Sequence, residues 1–135
     1  MRVYLDSCIV IYLHEGELAL RGRVSAWLRP SQGSPPRPCV SELVRLECRV
    51  GPMRRGESDL PSSYDAFFTL PGLEPLPMTR EVYEHATVLR AGFGLRTPDA
   101  LHVATARVGG CEELWTGDER LARHDLGLRV RVLGL

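Results

Sequence analysis

The chain has 135 residues, 44% of them hydrophobic and 25% charged, which is enough for one domain with a single core and too little for two. Seventeen acidic residues balance seventeen basic ones, so a protein that coats nucleic acid through bulk basicity is not expected. Every basic residue is arginine, which excludes chemistry that depends on lysine: P-loop NTPases, Schiff-base and pyridoxal catalysis, and kinase-type phosphoryl transfer.

In chain order, Arg2 to Leu5 reads as a short apolar strand, and Asp6-Ser7 suits a helix N-cap. Helix is expected from Cys8 to His14 and from Glu17 to Arg29, broken near Gly16, with a Pro- and Ser-rich connection from Pro30 to Pro38. Cys39-Val40 closes a second strand, and Ser41 caps a helix to about Val50, with a break over Gly51 to Gly56. A helix over Leu60 to Leu70 precedes a third strand at Leu73 to Leu76, placed at a sheet edge by its flanking prolines. Thr79 caps a helix from Arg80 to Phe93 that Gly94 ends, and Thr97-Pro98 opens the next, which stops at Gly109-Gly110. Glu113 to Thr116 reads as a strand, Gly117-Asp118 as a turn, Glu119 to His124 as a short helix and Arg129 to Leu133 as a last strand. Short strands separated by helices predict an α/β domain, residues 1–135, with a mostly parallel central sheet.

Cys8, Cys39, Cys48 and Cys111 form no CxxC pair and sit among apolar residues, so they read as buried free thiols rather than zinc ligands. Asp6 interrupts the apolar start of the chain, which argues against a secretory signal, and the apolar run Cys8 to Leu13 is too short for a bilayer. The expectation is a cytoplasmic protein with no membrane contact.

Four carboxylates carry the functional reading. In an open parallel sheet, ligands gather beyond the carboxyl ends of the strands; Asp6 follows the first strand and Asp118 the fourth. On a helical wheel of about 100° per residue, with Leu43 at zero, Glu47 falls near 40°, inside an arc that also holds Val44, Leu46, Cys48 and Val50. A carboxylate there needs a cation or an arginine to compensate it. Asp99 lies in the first turn of a helix that is apolar almost all round, Ala100 to Val108; a helix-dipole role accounts for it as well as a site does. Asp6 and Asp118 also have simple explanations as cap and turn residues. With no lysine, and with no histidine placed to answer the acids, clustered carboxylates point to a hard divalent cation, Mg²⁺ or Mn²⁺, and to metal-assisted phosphodiester hydrolysis.

The segments VYLDSCIVIYL, VSELVRLE, RTPDALHVATA and LWTGDERLAR, in that order, resemble the PIN-domain ribonucleases and, within them, the VapC-type toxins of type II toxin–antitoxin pairs. The resemblance implies a Rossmann-like α/β/α sandwich and an Mg²⁺- or Mn²⁺-dependent endoribonuclease. By position it makes Asp6, Glu47, Asp99 and Asp118 the catalytic, metal-binding acids, with Ser7 and Thr116 hydrogen-bonding the carboxylates or metal-bound water. It also implies an RNA substrate, a homodimer and a partner antitoxin that wraps the chain and blocks the site. Gly117 departs from the pattern, since many members carry Asn there, and the match is weak from Arg54 to Pro77. Phe67, Phe68 and Leu70 are candidates for the antitoxin surface, though core is the simpler role.

Arg96, close to Asp99, is a candidate RNA contact; Arg54, Arg55 and Arg90 read as solvated. His14, His85, His102 and His124 share no metal-ligand spacing and read as core or surface residues, Trp27 and Trp115 read as core, and Ser62-Ser63 has no adjacent base. The competing reading is a PIN-like module that holds RNA or a protein without cutting; the intact acid set argues against it, because carboxylates repel a phosphate chain unless a cation is bound. A dehalogenase-type phosphohydrolase is disfavoured, since Asp6-Ser7-Cys8 lacks the second aspartate such sites need and the chain has no lysine.

Overall fold

The computed structural model describes residues 1–29, 33–57 and 59–134, and of residues 59–62 the backbone alone. The start of the Pro30–Pro38 connection and the Ser62 side chain therefore lie outside the described residues. Five strands, β1 (Arg2–Leu5), β2 (Arg37–Val40), β3 (Glu74–Pro75), β4 (Glu113–Thr116) and β5 (Arg129–Val132), form one sheet in the order β3-β2-β1-β4-β5. Every pairing is parallel, so the sheet is wholly rather than mostly parallel among the described residues. Central β1 and β4 are buried along nearly their whole length, whereas β3, two residues ending in a proline, is an edge, the position where a missing ladder N–H costs least.

The connections are helical: α1 (Ser7–Glu15) and α2 (Leu18–Leu28), α3 (Glu42–Arg54) and α4 (Asp59–Phe68), then α5 (Arg80–Phe93) and α6 (Thr97–Val108), with a 3-10 helix Glu119–Arg123 before β5. Side-chain alternation along the strands divides the helices between the two faces. Trp115 stacks edge-on with Trp27 of α2 on one face, and Tyr4 meets His102 of α6 on the other. Ser41 and Thr79 cap α3 and α5 through hydroxyls that accept from Val44 N–H and Val82 N–H. Gly94, at φ 69°, ends α5 in the left-handed region that only glycine enters without cost.

Most boundaries fall within two residues of the sequence expectation, and the largest difference is at the end of α3. α3 does not break after Val50 but runs through Gly51 and Pro52 to Arg54. Pro52 is buried, and its contacts with the interior hold the last turn despite the lost backbone donor. Cys39, Cys48 and Cys111 are buried free thiols as expected, and Cys8 is half-buried. Among the described residues no helix is long and apolar enough to cross a membrane.

The strand order fixes where a ligand can sit. The chain leaves β1 toward β2 and β3 on one side, and returns to β4 and β5 on the other. The crevice of such a sheet opens beyond the carboxyl ends of the two strands where the order reverses, here β1 and β4.

Candidate active site

Asp6 stands at that reversal. Its backbone N–H continues the β1–β4 pairing by donating to the Trp115 carbonyl at 3.0 Å. Its side chain caps α1: Oδ1 accepts from the Ser7 N–H at 2.7 Å, with Ser7 Oγ at 3.4 Å, and Oδ2 accepts from Thr116 Oγ1 at 2.7 Å. Thr116, itself wholly buried, also accepts from the Asp118 N–H at 3.1 Å. One hydroxyl thus fixes the carboxylate after β1 and the backbone that carries the acid after β4.

Glu47 meets a partner that the sequence reading did not assign. Its Oε1 lies 2.5 Å from His102 Nε2, which is 3.6 Å from Asp6 Oδ1. The other imidazole nitrogen, Nδ1, is 2.8 Å from the Tyr4 hydroxyl, which is 2.7 Å from Ser41 Oγ. Burial by itself disfavours the charged ring, but the bond to Glu47 and the charges of Asp6, Glu47 and Asp99 outweigh it and raise the His102 pKa. Burial likewise works against the Glu47 carboxylate; the His102 bond prevails and holds its pKa below the ordinary value. The expectation that no histidine answers the acids is therefore corrected. Searching for histidine pairs at ligand spacing missed a contact between α3 and α6 across 55 residues of sequence. A local signal existed, since Asp99 and His102 are one helical turn apart.

The apolar arc drawn around Glu47 is also narrower than expected. Val44 and Cys48 are buried, but Leu46 is 56% and Val50 37% exposed. The Glu47 side chain sits at the border of the buried face, 29% exposed, and so faces the crevice rather than the middle of the core.

Asp99 and Asp118 line an adjoining cleft of about 290 Å³. Each is paired with an arginine: Asp99 Oδ2 with Arg96 Nε at 3.2 Å, and Asp118 with Arg120, whose Nη2 lies 2.7 Å from Oδ2. The Arg120 bond holds the Asp118 carboxyl below its usual range. Arg96 is thus beside Asp99, as its sequence position implied. Arg120 was missed, although its spacing of two from Asp118 in GDER was visible. Cys8 adds no nucleophile here, because burial and the Asp6 charge push its thiol up to about 12. A Cβ at Gly117 would lie 2.5 Å from the Tyr12 hydroxyl, so a larger residue there requires the Tyr12 side chain to shift.

The structure therefore joins Asp6 directly to Ser7 and Thr116, brings Glu47 to Asp6 through His102, and sets Asp99 and Asp118 along the neighbouring cleft. Asp6, Glu47 and His102 offer three ligand atoms within 4.8 Å of one another. Two carboxylate oxygens at such spacing, one oriented by two hydrogen bonds, fit a hard divalent cation.

A family model for the PIN domain matches residues 3–126. No curated protein matches the sequence. Similar solved structures include a toxin–antitoxin complex from Klebsiella pneumoniae, with a TM-score of 0.74 and 22% identity over 98% of this chain and 99% of that one. VapBC2 from Rickettsia felis, bound to a DNA fragment from its promoter, gives 0.75 and 16% over 98% of each chain. The Mycobacterium tuberculosis toxin VapC20, which cleaves the sarcin–ricin loop, gives 0.66 and 18% over 83% of this chain and 86% of that one. The shared feature at these identities is the fold.

Proposed function

The chain belongs to the PIN-domain family, and on that basis we propose that it is a metal-dependent endoribonuclease, the toxin of a type II toxin–antitoxin pair. The observation that carries the reading is the convergence of Asp6, Glu47 and His102 at the strand-order reversal, beside the cleft of Asp99 and Asp118. Asp6 and Glu47 would hold Mg²⁺ or Mn²⁺, with Asp99 and Asp118 completing the set. When bound, such an ion lowers the pKa of water and stabilises the in-line transition state of phosphodiester hydrolysis.

The chain's own residues do the rest. Ser7 N–H and Thr116 Oγ1 orient Asp6, and Thr116 ties that orientation to Asp118. His102, braced by Tyr4 and Ser41, offsets the mutual repulsion of Asp6 and Glu47. Arg96 and Arg120 offset the charge of the other two acids, and both are exposed enough to contact an RNA phosphate.

An antitoxin partner and a homodimer belong to the same reading. The toxin–antitoxin complexes among the similar structures support the first. A groove of about 530 Å³ that includes Leu13, Leu28, Phe67 and Leu70 offers apolar surface to a partner segment. For the second, α3 presents Leu46, Val50 and Met53 outward, 56%, 37% and 56% exposed, on one helical stripe. A cytoplasmic location accords with this function.

One observation favours the non-cleaving alternative. His102, Arg96 and Arg120 already neutralise Glu47, Asp99 and Asp118 without a metal. RNA cleavage with Mg²⁺ or Mn²⁺ decides between the two. The wild type is expected to cut, and Asp6→Asn and Asp99→Asn to lose at least about a hundredfold in rate with thermal unfolding little changed. Full activity in both variants overturns the nuclease assignment, and RNA binding in EDTA without cleavage in any metal favours the module.

A further inference from the structure

The cleft that contains Asp99 and Asp118 has a wall that the acid cluster does not use. Phe93, the last residue of α5, meets His124, just past the 3-10 helix, with ring centroids 5.2 Å apart and planes tilted by 50°. Both rings line the cleft. Phe93 remains 40% exposed, next to Gly94, which carries no side chain to cover it. Core packing does not account for an aromatic ring left open at that lip.

The remaining polar groups around it are cations. Arg96, Arg120 and Arg123 line the same cleft. The first two are engaged with Asp99 and Asp118, while Arg123 has no ion pair among the described residues. An open aromatic platform flanked by guanidinium groups is how proteins hold single-stranded nucleic acid: the base stacks and the backbone phosphates meet the arginines. A paired base within a helix has no free face to offer such a ring.

We infer that this cleft is a nucleobase subsite, in which an unpaired base of the RNA stacks on Phe93 and His124 while Arg123 contacts a flanking phosphate. The inference rests on the nuclease reading for the position of the scissile phosphate, beside Asp99 and Asp118. It adds a requirement for a base, not only a phosphate chain, next to the cut.

The test is fluorescence anisotropy with a labelled strand of about ten uridines and an abasic ribose-phosphate strand of the same length, in Ca²⁺. The wild type is expected to bind the uridine strand roughly tenfold more tightly than the abasic one. Phe93→Ala should reduce the uridine strand to the abasic level and leave the abasic affinity unchanged, which a misfolded variant would not do. Phe93→Trp should retain the preference. Equal binding of the two strands by the wild type, binding of neither, or unchanged uridine binding by Phe93→Ala overturns the subsite. Metal-dependent cleavage by the wild type alongside any of those results leaves the nuclease reading standing. A base preference that needs Phe93, in a protein that cuts with neither Mg²⁺ nor Mn²⁺, supports the subsite and overturns the nuclease reading.

Discussion

His102 is the residue on which the electrostatics of the site turn. Asp6 and Glu47 lie close enough to repel each other, and His102, 2.5 Å from Glu47 and 3.6 Å from Asp6, offsets that repulsion when it is protonated. His102→Gln keeps a donor but no charge. In EDTA it should lower stability by about 1–3 kcal/mol, below the cost for a fully buried pair because the Glu47 side chain reaches solvent. A thermal melt in EDTA checks this, and added Mn²⁺ should recover most of the loss by supplying the missing charge. The pH dependence has a definite sign. The raised His102 pKa gives stability that is complete below its usual 6.5 and lost as pH rises through the folded-state value. The lowered Glu47 pKa gives stability that is complete above its usual 4.5 and lost as pH falls through the folded-state value. Metal-free wild type should therefore draw most from the pair between those two pH values, and His102→Gln should flatten the profile on both sides.

At the scale of elements, most of the fold was legible because its signals are local. Caps at Asp6, Ser41 and Thr79, the Gly94 stop and the apolar runs of β1 and β4 each depend on a few adjacent residues, and each stands where the sequence places it. α3 was less legible for two physical reasons. Gly51-Pro52 carries a strong break signal that tertiary burial of Pro52 overrides. The wheel also cannot tell an apolar stripe that faces the core from one that faces a partner, so Leu46 and Val50 were grouped with Val44 and Cys48. We assign that outward stripe to the proposed homodimer. Leu46→Glu should change monomer stability by no more than about 0.5 kcal/mol, as exposed positions do, while shifting the protein from dimer to monomer in sedimentation equilibrium. A variant that unfolds, or a protein monomeric before the change, would contradict that role for α3.

At the scale of the molecule, the sheet order explains why residues so far apart in sequence meet. Asp6 and Thr116 are separated by 110 positions and joined by one hydrogen bond, because β1 and β4 are neighbours at the reversal of the sheet. Sequence alone placed Asp6 and Asp118 at strand ends. It did not reveal that Glu47 would face His102, since that contact depends on how α3 and α6 sit over the sheet, or that Arg120 would pair with Asp118 as Arg96 does with Asp99. Those cations make the central claim testable, because a site neutralised by the protein itself has no need of a metal. Calorimetric titration of Mn²⁺ into the wild type and into Asp6→Asn addresses it most directly. Binding by the wild type, lost or weakened at least about tenfold in Asp6→Asn, is the predicted result. Equal binding by the two proteins, or none by either, would contradict a metal centre built on Asp6.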